Sequence, residues 1–149
     1  MIYIKEFIYA FLSTLGFSII FNIPRDSIIK SGITGALGWI IYLFVNINYS
    51  SKVAGAFLGA ITVGMVGEIM ARLFKKPATV YIIPGIVPLV PGAGMYYTML
   101  SIIEKKFIEA ANLGTETLFI AAAISSGVII STTLNKTIFS LKRKTKSSI

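Results

Sequence analysis

The chain has 149 residues, 55% hydrophobic and 13% charged, with six acidic and fourteen basic side chains, a net charge of +8, and neither Cys nor His. A soluble domain carries about 25% charged residues, so this deficit excludes a soluble globule and a free nucleic-acid-binding domain. The missing Cys and His exclude a disulfide framework, zinc or iron–sulfur ligation and any Ser–His or Cys–His nucleophile.

Mean hydropathy is +0.81, and 100 residues lie in five stretches without Asp, Glu, Lys or Arg: 7–24, 31–51, 53–67, 77–103 and 117–135. Crossing the hydrocarbon takes roughly 20 mostly apolar residues in a helix. The pattern predicts an all-α integral membrane protein with about five transmembrane helices, or four if 77–103 enters and leaves on the same side. Residues 1–141 read as one transmembrane domain. The segment 142–149 reads as a basic cytoplasmic tail, a topology anchor with regulated lipid binding as the other reading.

The first stretch follows Lys5 and is longer than the roughly 7–15 apolar residues of a secretory signal. It ends in Asn22-Ile23-Pro24-Arg25, without a small-residue cleavage site, and reads as a retained span. The second carries Gly32, Gly35 and Gly38; the third carries Gly55 and Gly59, then Gly64 and Gly67. Small residues three or four apart share a helix face and let backbones approach, which is how helices associate in lipid. These glycines are predicted to be packing faces.

Glu68 adjoins the third stretch, and Arg72 follows at i+4, a spacing that sets both on one helix face. They read either as an interfacial ion pair or as a gate or coupling carboxylate, because ionisable groups at membrane depth tend to serve function.

The fourth stretch contains Pro84-Gly85-Ile-Val-Pro88-Leu-Val-Pro91-Gly92-Ala-Gly94-Met-Tyr96-Tyr97. Each proline removes a backbone donor and clashes with the preceding turn, so no regular helix is expected. Irregular backbone at membrane depth is tolerated where protein buries it or where it lines a cavity. Pro84, Gly85, Pro88, Pro91, Gly92 and Gly94, with the hydroxyls of Tyr96 and Tyr97, are therefore candidates for a substrate path; a bare structural kink is the alternative. In the fifth stretch Ala121, Ser125 and Thr132 lie near one face, with Ser126 and Thr133 beside it, and packing is expected there.

On a five-span reading, ten of the fourteen basic residues fall on one side: Arg25, Lys30, Arg72, Lys75, Lys76, Lys136, Lys142, Arg143, Lys144 and Lys146. The positive-inside rule places that side in the cytoplasm, the N-terminus outside and the C-terminus inside.

Three blocks carry a resemblance. They are Phe21-Asn22-Ile23-Pro24-Arg25 leading to Gly35-Ala36-Leu37-Gly38-Trp39, then Glu68-x-x-Ala71-Arg72 with Pro77 beyond, then Pro84-Gly85-x-x-Pro88-Leu89-Val90-Pro91-Gly92 followed by Tyr96. The chain resembles the small membrane subunit of the split threonine/serine exporter family over about residues 5–135. That resemblance implies a bacterial inner-membrane subunit that works with a larger membrane partner to export small amino acids or organic acids.

The sequence reading is therefore a subunit of a secondary transporter for a small carboxylate-bearing solute, threonine/serine or dicarboxylate. The alternative is a structural or assembly subunit whose partner holds the whole path. The missing half is expected on another chain or in copies of this one. No enzymatic activity, cofactor, metal or nucleic acid is expected, since neither a nucleophile–base pair nor a phosphate-binding motif is present.

Overall fold

The computed structural model describes residues 2–146, with side chains described for residues 2–135. Among these there is no strand. The elements are α1 (Ile2–Ile20), α2 (Arg25–Tyr49), α3 (Lys52–Phe74), α4 (Thr79–Ile86), a 3₁₀ turn (Val87–Leu89), α5 (Gly92–Ile103) and α6 (Phe107–Lys146). The expectation for the tail at 142–149 lies outside the residues whose side chains are described.

The helices stop where one residue turns left-handed. Asn22, Ser50, Lys75 and Lys105 have φ of 53°, 50°, 52° and 60°. After α1, α3 and α5 the next N–H reaches back five residues, Ile23 to Ser18, Lys76 to Ala71 and Lys106 to Ser101. This closes the free carbonyls in a Schellman turn. The Ser51 hydroxyl accepts from the Ala54 N–H and caps α3. Each long helix thus reverses within a few residues.

α2 and α3 pack side by side; α1 covers α2, α6 covers α3, and α4 is wedged against α2 and α3. The glycines are the contact points, as their spacing predicts. A Cβ on Gly59 would lie 2.9 Å from the Gly38 carbonyl oxygen, and one on Gly127 2.7 Å from the Phe57 carbonyl oxygen. Side chains at these positions would push the helices apart. The interior between them is built from Ala56, Ala60, Val63, Ile82, Leu89, Ile120, Ala123 and Ile124.

Four helices among the described residues are long and apolar enough to cross a membrane: α1, α2, α3 and Phe107–Asn135 of α6. A fifth span exists if Thr79–Leu89 and Gly92–Ile103, bent by 47°, count as one. The protein is an all-α, multi-pass membrane protein. The bent segment runs from one end of the bundle to the other. It starts where Tyr81 meets Ser27 at the head of α2, and at its far half Gly94 meets Thr117, next to the Lys52–Glu116 ion pair at the head of α3.

Candidate functional site

The break is narrower than the prolines alone suggest. The helix of α4 continues through Pro84 and Gly85, and regular α-structure is lost only over residues 87–91. The reason lies in how the orphaned carbonyls are served. Pro84 cannot donate to the carbonyl of Val80 four residues earlier. The Ser31 hydroxyl of α2, 3.0 Å from both Val80 O and Ser27 O, supplies a proton instead. Pro88 cannot donate to Pro84 O, and the Val87 N–H takes that place. Pro91 cannot donate to Val87 O, which accepts from the Val90 N–H at 3.2 Å. Substitution of freed backbone bonds by hydroxyls and 3₁₀ contacts is what allows proline at membrane depth.

The candidate path residues divide at this break. Pro84 and Gly85 are buried, with a Cβ on Gly85 falling 3.0 Å from Val63 and 3.2 Å from Thr34. Pro88 is half-buried and borders a crevice beside α1. Pro91 and Gly94 are half-buried, and Gly92 is exposed with open space around it. Tyr96 and Tyr97, edge-to-face on α5, are 62% and 53% exposed. The first half of the segment therefore sits inside the bundle. The second half lies along α6 with its tyrosines uncovered.

Glu68 and Arg72 lie on α3, with Arg72 Nη2 3.5 Å from Glu68 Oε2. Glu68 is 8% exposed, and no residue of the broken segment contacts it through a hydrogen bond or ion pair among the described residues. Its end of the bundle is strongly basic. Lys76 pairs with Asp26 and reaches Ser27 Oγ at 3.1 Å, and the Lys30 ammonium stands 3.7 Å over the Phe74 ring. Arg25, Lys30, Arg72, Lys75 and Lys76, grouped by sequence reading, meet at this end.

Hydroxyls line the seam between α1, α2 and α4. Thr14, Ser18, Ser27, Ser31 and Thr34 are fully buried. Thr14, Ser18, Ser31 and Thr34 bond to the carbonyl four residues earlier, and Ser27 lies 3.3 Å from the Tyr81 hydroxyl. Sequence reasoning passed over these residues and also over Glu6. The indole N–H of Trp39 donates to Glu6 Oε2 at 3.0 Å. A signal was present: Trp39 is the single tryptophan, its N–H needs an acceptor in an apolar setting, and Glu6 adjoins the first apolar stretch as Glu68 adjoins the third.

The family described as Threonine/Serine exporter, ThrE, matches residues 6–134. A threonine/serine exporter of Corynebacterium glutamicum is 28% identical over 105 residues, covering 70% of this chain and 21% of that protein. An uncharacterized protein of Haemophilus influenzae is 24% identical over 100 residues, covering 66% of this chain and 33% of its own length. The chain thus spans between a fifth and a third of these curated relatives. No solved structure matches it.

Proposed function

Because the chain belongs to the threonine/serine exporter family, a family of transporters and not of enzymes, we propose that it is a subunit of a secondary exporter for small amino acids, threonine and serine first. It acts in the bacterial cytoplasmic membrane with its N-terminus outside and its C-terminus inside. A larger membrane partner of the same family supplies the remaining helices. Dicarboxylate export is the competing substrate class.

The observation that carries this reading is the unwound stretch at 87–91, packed against the bundle through Leu89 with Val90 uncovered, between elements that are otherwise regular. Broken helices in transporters expose carbonyls and a helix N-terminus to solute and coupling ion. Pro84, Gly85, Pro88, Pro91, Gly92 and Gly94 shape that path in this proposal, and Tyr96 and Tyr97 line its outer part. The exposure of the two tyrosines supports a second chain closing the path over α5. Glu68, with Arg72 holding it, is the gate or coupling group on the basic, cytoplasmic side.

A second reading places the whole path in the partner and leaves this chain to assembly; the small share of the C. glutamicum relative that it covers favours it. One experiment separates the two. The chain is co-expressed with its larger partner, cells are preloaded with labelled threonine, and efflux is followed for Pro88→Ala and Gly92→Ala. The path reading expects efflux to fall by about tenfold, the effect of roughly 1.4 kcal/mol on a barrier, with co-purification unchanged. Normal efflux from a normally assembled variant would leave only the assembly role.

A further inference from the structure

Glu6, Tyr9 and Ser13 recur at helical spacing along one face of α1. With Ala10 they face Trp39 of α2 and Pro88 of the broken segment across a crevice of about 210 Å³. That volume is below the roughly 300–1,000 Å³ of pockets for drug-sized ligands, so it suits a small solute. Trp39 lies ten residues before Tyr49, the end of α2, which is about 15 Å of helix. Glu6 lies four residues after Ile2, the start of α1, about 6 Å of helix, so the crevice opens from the outer end of the bundle inward toward Trp39 and Pro88.

Glu6 is half-buried in the crevice, and Tyr9 and Ser13 are exposed at its rim. Trp39 holds Glu6 Oε2 and fixes the carboxylate, while Oε1 has no partner among the described residues. The hydroxyls of Tyr9 and Ser13 also lack hydrogen bonds among the described residues. The buried hydroxyls of neighbouring Thr14 and Ser18, by contrast, are bonded to the backbone. Lys5 does not line the crevice and forms no ion pair with Glu6.

We propose that this crevice binds the ammonium group of the exported amino acid. A primary ammonium has three donors and no acceptor; Glu6 Oε1 accepts from it, and Tyr9 and Ser13, about one and two turns further along α1, face the rest of the solute. The anionic wall repels a dicarboxylate at the same place. The proposal rests on the exporter reading and deepens it, because it selects amine-bearing solutes. Pro88 on the opposite wall joins the ammonium site to the unwound segment.

Trp39 is the single tryptophan, so its emission reports this crevice directly. The full chain in phosphatidylglycerol nanodiscs is titrated with L-threonine and with 3-hydroxybutyrate, which lacks the ammonium. Threonine should shift the emission saturably and 3-hydroxybutyrate should not. Glu6→Gln should weaken the threonine midpoint by about tenfold or more, an effect of at least one ordinary charged contact. Equal midpoints for the two solutes, or for Glu6→Gln and the parent chain, would overturn the assignment. So would an emission shift produced only by phosphatidylethanolamine nanodiscs, which would assign the crevice to a lipid headgroup.

If Glu6→Gln does not fold, Glu6→Asp and Ser13→Ala carry the test, each expected to weaken threonine while keeping discrimination against 3-hydroxybutyrate. Vesicle efflux by the chain and its partner runs in parallel. Efflux with an unchanged threonine KM in Glu6→Gln overturns the ammonium site and spares the exporter reading. A normal Trp39 titration without any efflux from the parent pair supports the site and removes the exporter reading.

Discussion

Ser31 shows how much of this fold depends on single polar side chains. Its hydroxyl serves the Val80 carbonyl that Pro84 leaves without a donor, and it is fully buried. Ser31→Ala should therefore destabilise the protein by about 1 kcal/mol, the ordinary net value of such a hydrogen bond. In a Pro84→Ala background the backbone N–H returns and the cost of Ser31→Ala should shrink by about half or more. Denaturant unfolding of the two single variants and the double variant in micelles measures this coupling. Additive effects would mean that Ser31 does not compensate for the proline. Sequence reasoning placed the prolines in the break but missed their partners. Ser31 is 49 positions away from Val80, and no local pattern announces that pairing. Glu6 and Trp39 are 33 positions apart and were missed for the same reason, although each is conspicuous alone.

At the scale of elements, the uncharged runs marked the helices well but undercounted one. The third run has 15 residues, short of the roughly 17–25 that a spanning helix needs, yet α3 has 23. It continues through Glu68 and Arg72 because the two pair at i+4 along the same face. The glycine spacings foretold the packing faces, since backbone approach in lipid requires small residues wherever it happens. The bend at 87–91 was legible as a disruption but not in its position, because α4 tolerates Pro84 once Ser31 is in reach. α3 also carries the coupling proposal. Replacing Glu68 by Gln should abolish efflux driven by a proton gradient and leave threonine exchange across the membrane measurable. Gradient-driven efflux that persists in Glu68→Gln would reduce the pair to a helix-end ion pair.

The molecule as a whole is a small helical bundle. Its interior is small, its broken segment is buried on one side only, and Met95, Tyr96, Tyr97, Met99 and Ile103 leave α5 with an apolar outer surface. Lipid or another chain covers that surface, and the relatives that contain this domain are three to five times the length it spans. The basic end and the polar crevice lie toward opposite ends of the bundle, which fits solute moving between them along the bent segment. The chain contains no Cys, so single thiols can be placed without background. The most direct test is reactivity of Val90→Cys, co-expressed with the proposed larger partner, toward a membrane-impermeant thiol reagent, with Ile129→Cys on the exposed face of α6 as the lipid-facing reference. If residues 87–91 line a solute path, Val90→Cys is labelled, threonine slows the labelling, and Ile129→Cys stays unreactive. If Val90→Cys is as inert as Ile129→Cys, or is labelled at a rate that threonine leaves unchanged, the broken segment is a structural kink and the path lies elsewhere.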